Sequence, residues 1–194
     1  MVTIVEPDPG WASEFAGIAE HLRTAIGADV LRIDHVGSTS VPGLPAKDVI
    51  DVQITVADEA ALARAAAALE RSGWKRSARI SRDHLAPGLP EDLSEWRKEF
   101  FNAPEGSRST NVHVRMDGRA NQRYALLFRD YLGVHPEAAS AYAEVKRGLA
   151  ALALDSGSYA DAKDPACDLV YLAAEEWASE TGWTPVDRQS PTTR

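Results

Sequence analysis

Two strand-forming runs joined by a short polar connection constrain the fold of this chain more than any other feature. Residues 31–36 alternate apolar and polar side chains until Gly37 and Ser38 interrupt the pattern. The second run, residues 49–56, is rich in β-branched side chains but contains Asp51. Because a short connection between two such runs favours pairing, we predict neighbouring strands in one sheet, with the glycine-serine turn and the acid at the same end.

Asp51 lies in an apolar strand, where an acid is costly to bury unless it is paired or bound to a cation. It is therefore either a ligand for a divalent cation or a buried acid paired with Arg32, Lys47 or Arg129. The turn before it can offer backbone N–H groups to an anion. A divalent cation can be held by a carboxylate together with phosphate oxygens, so the pattern suggests a site for such a cation and a nucleoside triphosphate.

Composition excludes several classes of protein. The 194 residues are 44% hydrophobic and 26% charged, which is ordinary for a globular domain, and the net charge of −8 argues against general nucleic-acid binding. The single Cys167 excludes an intrachain disulfide and a multi-cysteine zinc site, and it favours a reducing, cytoplasmic location. No apolar run approaches the ~20 residues that span a bilayer. We expect a cytoplasmic protein that binds a small molecule or a nucleotide and no membrane.

Hydrophobic periodicity predicts an α+β protein with a mixed sheet. The predicted elements are an edge strand at 2–5, helices at 11–26 and 57–72, strands within 96–102 and 111–116, and helices from 120, at 136–152 and at 165–181. In the last helix, Leu169, Leu172, Ala173 and Trp177 are predicted to face inward. One domain is expected over 1–183, with a sheet core in 1–118, a C-terminal helical bundle in 119–183 and a disordered tail at 184–194.

The segment IDHVGSTSVPGLPAKDVIDVQI, which begins at Ile33, resembles the signature of the GrpB family, whose fold is similar to that of DNA polymerase β-like nucleotidyltransferases. Further similarity at 111–114, 127–132, 142–146 and 159–163 extends the resemblance over roughly residues 3–175. The resemblance implies a nucleotidyltransferase-like sheet core with flanking helices. It also implies a magnesium-dependent nucleotidyltransferase, or a related nucleotide-using transferase, that acts on a small molecule.

The resemblance also implies a set of site residues, because in this superfamily a glycine-serine turn contacts the triphosphate and acids on the next strand bind magnesium. The implied triphosphate-binding residues are Gly37, Ser38, Thr39, Ser40 and Lys47, faced by a cationic wall of Arg129, Lys146 and Lys163. Asp51 is implied as catalytic metal ligand. Gln53 stands on the same strand face where a second acid is usual, and it is the second candidate ligand. His113 matches the place of a third acid, as metal ligand or acid–base catalyst.

Gln53 keeps other functions open, because an amide oxygen can ligate magnesium but lacks the charge of a carboxylate. Three functions therefore stay open. The chain is a transferase, or a non-catalytic domain that binds a nucleotide or metabolite or acts as a scaffold, or a diverged ligase that uses the same pocket. Domains resembling this family occur fused to dephospho-coenzyme A kinases, which implies a supporting role. Neither the acceptor, the nucleotide nor the oligomeric state follows from the sequence.

Two other features have mainly structural interpretations. His35 precedes the turn and is interpreted as shaping it. The basic stretch between Lys75 and Arg82 is interpreted as solvated surface, with substrate contact as the alternative.

Overall fold

A five-stranded mixed sheet organises the computed structural model, which describes residues 1–185. The strands are β1 (Arg32–Val36), β2 (Ile50–Val56), β3 (Lys75–Arg76), β4 (Glu99–Asn102) and β5 (Thr110–Met116). Their order in the sheet is β1-β2-β5-β4-β3, with β2 and β5 parallel and the other neighbours antiparallel. Val36 is paired with Asp51, so the predicted pairing of the two runs, with turn and acid at one end, is confirmed.

Five helices flank the sheet, which confirms the α+β class. They are α1 (Trp11–Ile26), α2 (Glu59–Arg71), α3 (Ala120–Val134), α4 (Pro136–Ala151) and α5 (Ser156–Thr181). The alternating residues of β2 separate two faces: Val52 and Ile54 pack with α1 and α2 in the main core, while Gln53 faces α3. The polar residues of β2 therefore lie on the side of the C-terminal helices.

Three predicted elements differ from the structure. Residues 2–5 do not form a strand, because Val5 makes a single isolated bridge to Ala46. The strand predicted from residue 96 begins at Glu99, after a short 3-10 helix over Leu93–Trp96. α5 begins well before Pro165, since the Asp155 side chain caps it by accepting hydrogen bonds from the N–H groups of the first turn. The cap and the packing of α5 outweigh the backbone hydrogen bond that a proline removes from a helix.

The inward face of α5 was predicted only in part, because Trp177 packs against the core whereas the two leucines do not. Leu169 and Leu172 are 71% and 51% exposed, while the buried residues along this helix are Tyr159, Cys167, Asp168, Tyr171, Ala174 and Ala178. Small alanines at the contact allow α5 to lie close to α3, which turns the leucines outward. The predicted tail lies almost entirely outside the described residues. Within 1–185, no helix combines the length and hydropathy needed to cross a membrane.

Arg129 ties α3 to β1. Its Nε donates to Asp130 Oδ1 at 2.8 Å, and its Nη1 donates to the His35 carbonyl at 3.0 Å and lies 3.4 Å from Asp34 Oδ1. Asp34 also accepts two hydrogen bonds from Arg32, each of 2.7 Å. Arg129 is 3% exposed and does not line the cleft described below. Its predicted place in the cationic wall that faces the triphosphate therefore does not fit the structure.

We expect Arg129→Met to lower the free energy of unfolding by about 3 kcal/mol, because it removes the cation paired with the buried Asp130 and the hydrogen bond to the His35 carbonyl, while Asp34 keeps Arg32. The measurement is urea denaturation followed by circular dichroism. Arg64→Met, which removes the exposed ion pair with Asp29, is the control and should have little effect. Equal losses in the two variants would contradict the structural role of Arg129.

Candidate functional site

A cleft of about 1000 Å³ lies against the polar face of the sheet and the C-terminal helices. Most of the predicted site residues line it: Gly37, Ser38, Thr39, Lys47, Asp51, His113, Lys146 and Lys163. Ser40, Gln53 and Arg129 do not. The structure therefore brings together, in one cavity, residues from the β1–β2 turn, from β2 and β5, and from α4 and α5.

The turn after β1 requires glycine. Gly37 has φ 70° and ψ −173°, a backbone conformation that is essentially restricted to glycine. A Cβ atom at this position would lie 2.6 Å from Asp51 Oδ2, so the turn and the acid are in direct contact. Ser40 donates its hydroxyl to the Gly37 carbonyl at 2.5 Å, and Thr39 donates to the Val49 carbonyl at 3.2 Å. These two hydroxyls therefore hold the turn in shape.

His35 supports the same turn from behind. Its Nε2 lies 3.0 Å from Thr39 Oγ1, and its ring stacks on Phe15 with centroids 4.7 Å apart. These contacts agree with the structural interpretation of His35 in the sequence.

Asp51 is held by neutral donors. Its Oδ1 accepts a hydrogen bond from Asn111 Nδ2 at 2.9 Å and lies 3.7 Å from His113 Nε2. Burial raises the pKa of Asp51, but the neighbouring His113, the hydrogen bond from Asn111 and the charge of Lys47 outweigh it and lower the pKa overall. The Asp51 side chain is 28% exposed, so a charged carboxylate is presented to the cleft.

His113 is surrounded on its inner side by cations. Its Nδ1 lies 3.2 Å from Lys98 Nζ and 3.3 Å from Arg115 Nη2, and both of these groups can only donate. Nδ1 is therefore the acceptor, and the proton of the neutral ring sits on Nε2, toward Asp51. Burial, with the charges of Lys98 and Arg115, lowers the pKa of His113 to about 4. A protonated Nε2 has no lone pair for a metal, so this geometry favours hydrogen-bond donation over the predicted metal ligation.

Gln53 offers no oxygen to the cleft. It is fully buried, its Oε1 accepts from Arg115 Nη1 at 2.6 Å, and its Nε2 donates to the Gln122 carbonyl at 3.1 Å. Its predicted role as a metal ligand therefore does not fit this arrangement. Across residues 1–185, no three His, Cys, Asp or Glu side chains come together as a metal site. Magnesium fits beside Asp51 only with ligand oxygens added by a phosphate-bearing molecule.

Three lysines that line the cleft supply positive charge, and one of them contacts the turn. Lys146 Nζ donates to Ser38 Oγ at 2.9 Å and to the Pro45 carbonyl, and lies 4.9 Å from the centre of the Tyr142 ring. Lys163 Nζ is 3.0 Å from Cys167 Sγ, and Lys47 Nζ lies 5.4 Å from the Tyr159 ring centre. In the described part of the chain, none of these lysines forms an ion pair with a carboxylate. The wall is therefore free to neutralise a bound anion.

Lys146 is also close to its titration point at neutral pH. Burial, with the nearby charges of Lys163 and Arg147, lowers the pKa of Lys146 to about 7. An anion bound next to Lys146 favours the protonated form.

Comparison with known proteins identifies the family. Residues 1–172 match the family model described as GrpB protein. The chain belongs to the GrpB family. A solved structure of conserved protein GrpB from Enterococcus faecalis is 26% identical and superposes with a TM-score of 0.73, over 90% of this chain and 99% of that one.

Curated relatives of this GrpB chain include longer proteins. A dephospho-CoA kinase of Mycolicibacterium paratuberculosis is 39% identical over 197 residues, which covers 95% of this chain and 48% of that protein. The UPF0157 protein PA4798 of Pseudomonas aeruginosa is 38% identical over 153 residues, which covers 77% of this chain and 57% of that protein. The GrpB chain thus spans about half the length of such relatives, and the names describe those whole proteins.

The sequence analysis missed a charged network at the far side of the cleft. Asp83 accepts from Lys98 at 2.5 Å, from Arg115 at 2.9 Å and from Asn121 at 3.0 Å. Burial raises the pKa of Asp83, but the charges of Arg115 and Lys98 outweigh it and hold that pKa well below its usual range. Arg115 follows His113 by two positions on β5, and an arginine on the same face of an apolar strand was the available signal.

We expect Gly37→Ala to lower the free energy of unfolding by about 3 kcal/mol, because it combines an unfavourable backbone conformation with a clash against Asp51. Gly43→Ala is a matched control: Gly43 also has positive φ, but nothing lies within 4 Å of its added Cβ. This variant should lose about 1 kcal/mol. Urea denaturation measures both, and equal losses would show that the contact with Asp51 has no effect.

We expect His113 to be neutral at pH 7 with its proton on Nε2, because both donors at Nδ1 are cationic. Long-range ¹H–¹⁵N NMR of the imidazole ring distinguishes the two tautomers and the charged form. His113→Gln assigns the signal by its absence. A proton on Nδ1, or an imidazolium at pH 7, would contradict the hydrogen-bond arrangement.

Proposed function

We propose that this GrpB chain binds a nucleoside triphosphate with Mg²⁺ in its cleft and transfers a nucleotidyl or related phosphoryl group to a small molecule. The observation that carries the proposal is the contact of the Gly37–Ser38 turn with Asp51, faced by lysines without carboxylate partners. A glycine turn, one carboxylate that faces the cleft and ammonium groups without carboxylate partners are complementary to a polyphosphate and its cation.

Each group has a distinct role in this proposal. The turn and Ser38 bind phosphate oxygens, and Lys146 and Lys163 neutralise the charge that builds on the leaving group. Asp51 would hold Mg²⁺, which when bound supplies further neutralisation of the phosphates. His113 donates from Nε2 toward Asp51, and this orients the carboxylate. Catalysis then rests on positioning and charge neutralisation.

Non-catalytic nucleotide binding is the second candidate, and the hydrogen bonding of the Gln53 side chain favours it. Two-metal transfer generally needs paired carboxylates, whereas the oxygen of Gln53 is already bonded to Arg115. An acid at this position would face the Arg115 guanidinium, so Gln53→Asp would form an internal ion pair. A supporting, nucleotide-binding role is compatible with the relative named dephospho-CoA kinase, of which a chain like this forms about half.

Isothermal titration with each of ATP, GTP, CTP and UTP, with and without Mg²⁺, tests the proposal. We expect at least one triphosphate to bind more tightly with Mg²⁺, and Asp51→Asn to remove this mutual dependence. Lys146→Met should weaken triphosphate binding about tenfold, since it removes a charged hydrogen-bond donor. Lys75→Met, at an exposed lysine outside the cleft, is the control and should bind normally.

The same titrations separate the candidates. Magnesium-dependent binding with pyrophosphate release on addition of an acceptor supports transfer. Binding without release, across a panel of hydroxyl and amine acceptors, favours the second candidate. Absence of binding by all four triphosphates would overturn both.

A further inference from the structure

The segment between β3 and β4, residues 77–98, forms a second wall of the cleft; we call it the arm. It folds back on itself through the bridge between Arg82 and Arg97, and through backbone hydrogen bonds from Asp83 to Trp96 (2.8 Å) and from Lys98 to Ser81 (2.9 Å). Six consecutive arm residues, 79–84, line the cleft. The arm is therefore an extension of the β3–β4 hairpin that borders the site.

The arm is fixed at several points. Asp83 binds Lys98, Arg115 and Asn121, which joins the arm to β5 and α3. His84 Nε2 lies 3.0 Å from Asp168, which joins the arm to α5. Because residues 83 and 84 are held, the neighbouring side chains 79–82 are presented at a defined part of the cleft wall.

Two arginines of this wall have no partner in the described structure. The side chains of Arg79 and Arg82 are exposed, and neither guanidinium forms a hydrogen bond or an ion pair within residues 1–185. Other cations on or next to the arm are paired: Arg76 with Glu99 at 2.6 Å, Arg97 with Glu59 at 2.5 Å, and Lys98 with Asp83. Arg115, the other arginine that lines the cleft, is paired with Asp83.

We propose that Arg79 and Arg82 bind an anionic group, a phosphate monoester or a carboxylate, on the small molecule that accepts the transferred group. Guanidinium groups have the planar donor arrangement that matches both anions. Asp161 and Asp164 line the cleft from α5, and Asp164 lies 3.8 Å from His84 Nδ1 of the arm, so an anion is disfavoured at that end of the arm and favoured beside Arg79 and Arg82. This assignment of the acceptor class rests on the proposed function.

Arg79 and Arg82 of the arm belong to a different part of the cleft from the Gly37–Ser38 turn and the lysines proposed to bind the triphosphate. The turn and the lysines that face it belong to the β1–β2 connection, α4 and α5, whereas Arg79 and Arg82 belong to the β3–β4 hairpin. The arginines are exposed, whereas Lys146 is 2% exposed. A triphosphate held at the turn thus leaves the arm available to a second ligand.

The test uses the full chain and three matched probes: glycerol 3-phosphate, glycerate and glycerol. Binding is measured by isothermal titration, with and without a saturating non-hydrolysable triphosphate and Mg²⁺. We expect at least one anionic probe to bind and glycerol not to bind. The double variant Arg79→Gln/Arg82→Gln should weaken the anionic probe about tenfold, and should change triphosphate affinity less than twofold. Arg71→Gln, at an exposed arginine on α2, is the control for lost charge.

The outcomes distinguish this proposal from the proposed function. If the anionic probe binds through the arginines but no triphosphate binds, the arm is an anion site and the proposed function fails. If the double variant weakens only the triphosphate, the arginines belong to the triphosphate site and this proposal fails. It fails also if neither anionic probe binds, or if Arg71→Gln weakens the anionic probe as much as the double variant does. A single-stranded RNA oligonucleotide is titrated as a further probe, and the proposal fails if only this RNA binds more weakly to the double variant. Preference between the two probes identifies phosphate or carboxylate.

Discussion

The half-buried carboxylate of Asp83 determines the arrangement on which the cleft depends. It joins the arm to β5 through Arg115 and to α3 through Asn121, and it supplies the negative charge that two buried cations, Arg115 and Lys98, would otherwise lack. Arg115 also donates a hydrogen bond to the Gln53 side chain. Together with Lys98 it lies beside His113 Nδ1, which leaves the ring proton on Nε2. Asp83 thus determines both the position of the arm and, through Arg115 and Lys98, which nitrogen of His113 carries the proton.

The sequence was most informative where chain-local patterns decide the structure. The strand pair with its turn, and α1 from Trp11 to Ile26, follow from alternation, helical periodicity and glycine, and the structure agrees. The proximity of Gly37 and Asp51 was also predictable, because the register of an antiparallel pair follows once the turn and the two apolar runs are known. These contacts form between residues that are close in sequence.

The parts that sequence reasoning did not recover depend on contacts between distant segments. Nothing near Gln53 in the sequence indicates that Arg115 occupies its oxygen, and nothing near Arg129 indicates that it pairs with Asp34. The arm has little regular structure, so periodicity carries no information about its position. The inward face of α5 depends on how closely its alanines approach α3, a property of packing that composition does not fix.

The titration of Lys146 has a consequence for the energetics of any anion that binds beside Ser38. With a pKa of about 7, this amine is close to half protonated at neutral pH, and a neighbouring anion completes the protonation. Each binding event then takes up a fraction of a proton from solution, so the observed heat includes the ionisation enthalpy of the buffer. The occupancy of the cleft is thereby linked to the proton concentration of its surroundings.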